Sequence, residues 1–300
     1  MKTLVLVLAV ITLLAICCTA QAWQVGWNSL EPTGAVASGG SDVSGNNIIG
    51  YYSDATGEHN FLYDGAIWTI LAKPGVTNTW AQDIDGNNIV GSYWDTSTYH
   101  GYLYNGSTWT TLDVPGAFST IAMGIDGNNI VGTYSNSTGG THSFLYNGSK
   151  WITLDAPGAR DTCVRGISGN NIIGYYSDTS GGHNFLYNGS KWMTLDMPGA
   201  VFTKAQGIDG NNIVGYYEDT SGTNHSFFYD GSNWTTLDAP CATLTYAFGI
   251  DGNTIVGNYT DTTGIHHGFV YVVPEPTSLI GLSAGLFGLL GTLRCRRIER

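Results

Sequence analysis

Short apolar runs alternate with polar turns along most of the chain, and the alternation repeats every 41 or 42 residues. Each unit contains an apolar run, an Asp-Gly-Asn turn or a variant of it, a second apolar run, a His-x-Phe-Leu-Tyr run, an Asn-Gly-Ser turn and a Trp run. The glycine of the first turn recurs at Gly45, Gly86, Gly127, Gly169, Gly210 and Gly252. Because Asp-Gly and Asn-Gly dipeptides between apolar runs are hairpin signals, we predict four short antiparallel strands per unit.

The size of the unit and the ends of the array predict the fold. Four antiparallel strands in about 41 residues make one blade of a β-propeller, and an open β-solenoid is the alternative. The last unit ends at Tyr271 without a Trp strand, whereas a surplus Trp strand stands at Trp27 near the other end. We therefore predict one all-β domain over residues 23–272, a six-bladed β-propeller closed by its N-terminal strand.

The glycines of the first apolar run predict the order of strands within a blade. This run contains glycine in four units, at Gly124, Gly166, Gly207 and Gly249. Six strands crowd around a propeller axis, so we expect this strand to be short and innermost and the Trp strand to be outermost. The reversed order is the alternative, and it leaves the fold class unchanged.

Charge and cysteine content limit the partners. The chain has 11 Lys plus Arg against 23 Asp plus Glu, a formal net charge of −12. Such a field repels nucleic acid, so we expect no nucleic-acid partner. Five cysteines provide no disulfide framework, and a bridge between Cys163 and Cys241 is disfavoured because they occupy different phases of the repeat.

The first 22 residues form a predicted signal peptide. Lys2 precedes an apolar run over residues 4–17, and Ala20-Gln21-Ala22 is a small-x-small cleavage site. The mature chain is therefore expected to begin at Trp23 and to be exported.

The C-terminal 28 residues contain a second predicted targeting segment. Residues 277–293 are uncharged and rich in Gly and Leu, and as a transmembrane helix they would just cross a bilayer. Arg294, Arg296 and Arg297 follow, and cations on that side are expected to stay in the cytoplasm. The repeat domain of the precursor would then lie outside the inner membrane.

The tail over residues 273–300 resembles the PEP-CTERM sorting signal of exported bacterial proteins. The resemblance rests on Val273, Pro274, Glu275 and Pro276, followed by the short helix and the arginine-rich end. It implies that an exosortase-like membrane protease or transpeptidase recognises and removes the tail. An inner-membrane anchored precursor would then become a cell-envelope or extracellular protein.

The repeats resemble the bacterial extracellular HAF repeats. His142, Phe144, Leu145 and Tyr146 match the middle element of that pattern, with Ser143 in place of its alanine. The resemblance implies no assigned chemistry.

Two repeated motifs resemble metal sites. The first is a set of histidines that open the third strand of each unit, at His59, His100, His142, His183, His225 and His267. Copies on six separate blades lie too far apart to share one ion, so we expect packed, hydrogen-bonded structural roles. The second motif, residues 83–88, resembles the start of a calcium loop but lacks the distal Glu, so we interpret it as a turn.

No catalytic constellation is evident. The sequence has no Gly-x-Ser-x-Gly elbow, zinc motif or phosphate loop. We therefore predict a non-enzymatic binding or structural scaffold, with no catalytic residue, cofactor or metal and with exopolysaccharide as candidate partner. The alternative is a polysaccharide hydrolase or lyase with a site near the axis, which would use Arg160, Arg165 or Glu218.

The candidate ligand-facing rim consists of aromatic residues at or near positions that differ between repeats, and it comprises Tyr51, Trp94, Tyr175 and Tyr216. Aromatic rings beside Asp or Asn suit sugar recognition, and they also suit any polar propeller rim.

Overall fold

The computed structural model describes residues 24–137 and 139–274, which form 24 strands in six four-stranded antiparallel sheets. Listed from inner to outer strand, the sheets are β2 (Ala37–Ser44), β3 (Asn47–Asp54), β4 (Gly57–Tyr63), β5 (Trp68–Ile70); β6 (Asn78–Asp85), β7 (Asn88–Trp94), β8 (Tyr99–Tyr104), β9 (Trp109–Leu112); β10 (Ser119–Asp126), β11 (Asn129–Ser135), β12 (Thr141–Tyr146), β13 (Trp151–Thr153); β14 (Asp161–Ser168), β15 (Asn171–Asp178), β16 (Gly181–Tyr187), β17 (Trp192–Thr194); β18 (Phe202–Asp209), β19 (Asn212–Glu218), β20 (Asn224–Tyr229), β21 (Trp234–Thr236); and β22 (Leu244–Asp251), β23 (Thr254–Thr260), β24 (His266–Val272), β1 (Gly26–Ser29).

The six sheets are the blades of a propeller, numbered one to six in that order. Each inner strand contacts the inner strands of both neighbouring blades, and β22 contacts β2, so the ring is closed. The six-bladed all-β fold and the predicted strand order are confirmed.

The predicted targeting segments, residues 1–22 and 277–293, lie outside the described residues. Within the part of the chain that is described, no helix is long and apolar enough to cross a membrane.

The N-terminal strand completes the sixth blade, as predicted. Trp27 pairs with Tyr271, and Gly26 pairs with Val272, in an antiparallel ladder between β1 and β24. The Trp27 ring packs edge-on against Phe269 with centroids 4.8 Å apart. Strands from the two ends of the domain therefore share one sheet.

The prediction of a short inner strand is wrong. Each inner strand has eight residues, and the Trp strands are the short ones, with three or four. Crowding acts at one point of the inner strand only: a Cβ at Gly124 would lie 2.9 Å from Val131 Cγ2 and 3.1 Å from Gly166 Cα. Glycine relieves the contact at that point, so the strand does not need to be short.

The first turn of each unit also differs from the expected Asp-Gly turn. In blade three, Asp126 pairs with Asn129, so the two central residues are Gly127 and Asn128. Gly127 has a φ of 57°, at the position where a type II′ turn requires glycine. The aspartate therefore belongs to the strand, and its side chain is free to bond elsewhere.

That side chain joins each blade to the next. Asp85 Oδ2 accepts a 2.7 Å hydrogen bond from the Gly127 N–H, and Ser44 Oγ accepts a 3.0 Å bond from the Gly86 N–H. The remaining donor and acceptor pairs are Gly45 with Asp251, Gly169 with Asp126, Gly210 with Ser168, and Gly252 with Asp209. Six equivalent bonds form a continuous ring, and we call this end of the molecule the turn end.

The apolar core lies between blades rather than in one centre. Ile49 of blade one packs with Ile84, Ile89 and Tyr102 of blade two, and five similar clusters fill the other seams. Burial of both faces of each sheet explains the weak contrast between apolar and polar faces along the strands.

Both described chain ends lie at the turn end, because Gly26 and Val272 are paired beside the turn at Gly252. The opposite end, which we call the loop end, carries the loops between second and third strands and the Pro-Gly crossovers.

Candidate functional site

A β-bulge in every inner strand directs one side chain toward the axis. In blade three the register shifts between Ala122 and Gly124, which leaves Met123 as the bulged residue. The bulged residues of the six blades are Ser41, Gln82, Met123, Arg165, Gln206 and Phe248, and all six line the axial cavity. Bulges often redirect side chains beside functional sites. Five residue types, with glutamine in two blades, therefore occupy this ring, although the fold repeats.

The axial cavity has a volume of about 620 Å³. At the turn end it is bordered by Asp85, Asp126 and Asp251, and toward the loop end it extends beside blade one to Tyr51 and Glu58. The Tyr51 ring lies over Gly39, where a side chain would clash with it.

Two carboxyl groups, Asp42 and Asp83, face this cavity from adjacent blades. Asp42 Oδ2 accepts a 3.0 Å hydrogen bond from the Ile84 N–H, and Asp83 Oδ2 accepts a 2.8 Å bond from the Ile125 N–H. Burial, the charge of Asp83 and a hydrogen bond to Asp83 together raise the pKa of Asp42 well above its usual value. Burial raises the pKa of Asp83 as well, so neither carboxyl ionises as readily as a free aspartate does.

The pair occupies the position that is glycine in the other four blades. Asp42 lies directly against Gly249, where any Cβ would clash with its backbone and side chain. Sequence analysis did not identify this pair. The signal was present as a departure from the repeat, since Asp42 and Asp83 replace glycine in two neighbouring units.

The six repeated histidines lie away from the axial cavity except His59, which borders its loop-end extension. Each stacks on the tyrosine of its neighbouring second strand, as His100 does on Tyr93 with centroids 5.1 Å apart. Each also hydrogen-bonds at least one carboxylate, and His100 bonds both Asp95 (2.9 Å) and Asp113 (2.8 Å). The expected packed, hydrogen-bonded role is confirmed.

The acidic partners shift the histidine pKa values in two blades. Partial burial alone would lower the pKa of His225, but hydrogen bonds and charge from Asp238 and Asp219 outweigh it and raise the pKa. His100 behaves in the same way, with Asp113 and Asp95 as partners. Among the described residues, no three His, Cys, Asp or Glu side chains converge as metal ligands would.

Three of the four rim residues lie apart from one another. Tyr51 borders the axial cavity, and its hydroxyl accepts a 2.5 Å hydrogen bond from Asn258 Nδ2. Trp94 packs edge-on against Tyr99, with centroids 4.9 Å apart. Tyr175 lies under Arg165, whose guanidinium carbon is 5.6 Å from the ring centroid.

Tyr216, the fourth, lines a second cavity of about 430 Å³ at the loop end. We call this cavity the seam groove, because it lies between blades five and six. Its other lining residues are Phe202, Asn224, Tyr246, Phe248, Asn258 and His266. Phe248 lines both cavities. Of the groove residues, only Tyr216 was a rim candidate from the sequence. Phe248 could not be predicted because its direction depends on the bulge.

Two amide oxygens in the seam groove have no hydrogen-bond partner. They are Oδ1 of Asn258 and Oδ1 of Asn224, and both atoms are inaccessible to bulk solvent. Asn258 is only 5% exposed, and its Nδ2 is engaged by Tyr51. Unpaired buried acceptors are rare in native proteins, so this groove is suited to a ligand that donates hydrogen bonds.

The predicted sorting residues are only partly described. The Val273 N–H donates a 2.8 Å bond to the Asn253 carbonyl, and Val273 packs against the core of blade six. Pro274 is the last described residue, whereas Glu275, Pro276, Arg294, Arg296 and Arg297 lie outside the described residues.

Cys163 is a free thiol.

Comparison with known proteins shows similarity of fold. No protein-family model and no curated protein matches the chain. A fungal lectin from Aleuria aurantia, described as a six-bladed β-propeller with a novel mode of fucose recognition, is 18% identical over 81% of this chain and 98% of its own, with a TM-score of 0.47. The BP39L lectin of Burkholderia pseudomallei is 13% identical over 81% and 84%, with a TM-score of 0.45.

The β-propeller domain of the Trilobed protease from Pyrococcus furiosus, described as having an open velcro topology, is 10% identical over 79% of this chain and 94% of that chain, with a TM-score of 0.48. The two lectins and the protease domain therefore have similar TM-scores to this chain. The comparisons therefore do not distinguish between binding and catalysis.

Proposed function

We propose that the protein is an exported, non-enzymatic polysaccharide-binding protein of the cell envelope or extracellular matrix. The seam groove is the observation that carries this proposal. It combines aromatic rings, which stack on the C–H faces of sugars, with amide groups, which hydrogen-bond hydroxyls. Residues with long flexible side chains are scarce in it, so little side-chain entropy would be lost on binding.

The position of the chain ends is compatible with such a role. The tail leaves the propeller at the turn end, and the groove opens at the loop end. A precursor held in the inner membrane by residues 277–293 would therefore present its groove away from the membrane. An exosortase-like enzyme that removes the tail would leave the groove unchanged.

Binding of the purified full chain to a glycan array, together with fractionation of the native host, tests the proposal. We expect binding to at least one polysaccharide and recovery of the protein from the envelope or the medium. Absence of any glycan binding, or recovery from the cytoplasm, contradicts it.

Mass spectrometry of the protein from its host tests the processing. We expect a chain that begins at Trp23 and ends near Pro274. A mass that includes Arg300 would show that the tail is retained and that the predicted processing is wrong.

The Asp42 and Asp83 pair favours a second candidate, a polysaccharide hydrolase or lyase acting at the axis. Glycosidases hold their two carboxyls about 5 to 9.5 Å apart, on either side of the scissile bond. Asp42 and Asp83 face one cavity from adjacent blades. Release of reducing or unsaturated ends from a polysaccharide by the native chain but not by Asp42→Asn, Arg160→Ala, Arg165→Ala or Glu218→Gln variants would support the enzyme.

A further inference from the structure

We infer that the seam groove binds a uronic acid residue of an acidic polysaccharide, at one site per molecule. This inference rests on the proposed function and adds the class of sugar, the residues that hold it and the stoichiometry.

The amide of Asn258 sets the first requirement on the ligand. Its Nδ2 donates to the Tyr51 hydroxyl, and its Oδ1, buried in the wall of the groove, has no partner. Desolvation of an unpaired carbonyl oxygen costs free energy that a donor supplied by the ligand recovers. Asn224 Oδ1 presents the same requirement from the neighbouring blade. Two acceptors in one groove suit two hydroxyl donors on one sugar ring, and they do not suit phosphate or sulfate, whose oxygens only accept.

The aromatic rings set the second requirement. Tyr246 and Phe248 lie with their planes 15° apart and their centroids at 6.3 Å. Tyr216 meets Tyr246 edge-on at 4.9 Å. The groove therefore contains both ring faces and ring edges, an apolar surface against which the C–H face of a pyranose packs.

A cation at the edge of the groove sets the third requirement. The ammonium of Lys204 is 5.8 Å from the Tyr216 ring centroid and 5.9 Å from that of Phe202, and both rings line the groove. Lys204 is half-buried and forms no salt bridge with any residue that the structure describes. A carboxylate on the bound sugar would pair with it.

The net negative charge of the chain does not prevent a carboxylate from binding beside Lys204. Charges more than about 8 Å from a ligand are largely screened at physiological ionic strength, whereas a half-buried cation in contact is screened much less. The nearby groups are Glu218, which pairs with Phe202 across the strand, and His266, which is exposed at the groove.

The site occurs once because the repeat is broken there. The positions equivalent to Asn258 are Tyr51, Ser92, Thr133, Tyr175 and Tyr216, and the positions equivalent to Lys204 are Gly39, Trp80, Ile121, Cys163 and Tyr246. No other seam repeats the combination. We therefore expect one sugar site per chain rather than six.

Titration calorimetry with an oligouronate, and with the same oligosaccharide after reduction of its carboxylates to alcohols, tests the inference on the full chain. We expect one site and about tenfold weaker binding of the reduced form, which corresponds to about 1.4 kcal/mol. The Lys204→Met variant should bind the oligouronate about tenfold more weakly and the reduced form unchanged. The Asn258→Thr variant, which copies Thr133 of blade three, should weaken both.

Lys191→Met is the matched control, because Lys191 lies in a turn at the opposite end of blade four, and it should bind as the native chain does. Thermal unfolding of each variant checks that it is folded. Equal binding of the two oligosaccharides, or native binding by Lys204→Met, overturns the uronate assignment and leaves the proposed function standing. Failure to bind any glycan at all overturns the proposed function itself.

Discussion

The Gly45 N–H donates a 2.5 Å hydrogen bond to Asp251 Oδ2, although the two residues lie 206 positions apart in the chain. Five equivalent bonds join the other neighbouring blades. This one therefore closes the ring on the axial side, while β1 closes it at the periphery. Closure places blade six beside blade one, where Asn258 Nδ2 donates a hydrogen bond to the Tyr51 hydroxyl.

Removal of the closing bond should destabilise the fold. Asp251→Ala is expected to lower the free energy of unfolding by about 0.5–1.5 kcal/mol, the usual net contribution of a hydrogen bond, because this bond is solvent-exposed. Asp251→Asn keeps an acceptor oxygen and should lose less. Denaturant unfolding measures both variants, and native stability for Asp251→Ala would contradict the role assigned to this bond.

The closing strand should be released by loss of its anchor. Trp27→Ala is expected to lower the free energy of unfolding by about 3 kcal/mol, as for other large aromatic truncations. Trp151→Ala is the matched control, since Trp151 makes the same contacts with Phe144 and Tyr146 within one contiguous blade. Both variants should be less stable, but only Trp27→Ala should become sensitive to limited proteolysis at its N-terminus. Equal protease resistance would show that β1 does not close the ring.

Replacement of one axial carboxyl should stabilise the protein. Because the pKa of Asp42 is raised, the contribution of Asp42 to stability is complete below the ordinary value of 3.8 and is lost as the pH rises through the folded value. Asp42→Asn removes that loss and can still hydrogen-bond Asp83. We expect a gain of about 1–2 kcal/mol at pH 7 and a flatter profile of melting temperature against pH. A less stable variant at pH 7 would contradict the raised pKa of Asp42.

Protonation of His225 should also contribute to the stability of the fold. Because its pKa is raised, its contribution is complete below the ordinary value of 6.5 and is lost as the pH rises through the folded value. His225→Gln should reduce the fall in melting temperature between pH 6 and 8, measured in the Asp42→Asn background so that Asp42 does not contribute. His100, whose pKa is also raised, accounts for part of the fall that remains. The effect should stay under about 1 kcal/mol because the side chain is solvent-screened. An unchanged slope of melting temperature against pH would contradict the raised pKa of His225.

The fold could be predicted from the sequence because each of its determinants recurs. The hairpin glycines and the Trp strands recur at a regular spacing, and the last repeat lacks a Trp strand after Tyr271. These features can be read from the sequence without coordinates. The partner of Trp27 followed from counting strands at the two ends. The length of the inner strand and the centre of the Gly127 turn were mispredicted, because a bulge and an interblade hydrogen bond leave no trace in the period.

The candidate site could be predicted only in part because it depends on departures from the repeat. Tyr216 was found among variable aromatic residues. Phe248 and Lys204 were not, because the direction of an inner-strand side chain depends on the bulge. The role of Asn258 depends on its hydrogen bond to Tyr51, which lies in the next blade across the closure and is 207 residues away in the chain.

The decisive experiment for the uronate site is a crystal structure of the full chain with a bound oligouronate. We expect one sugar ring packed against Tyr246 and Phe248, with a hydroxyl donating to Asn258 Oδ1 and the carboxylate beside Lys204. A sugar held elsewhere on the propeller, with Asn258 Oδ1 still unbonded, would contradict it.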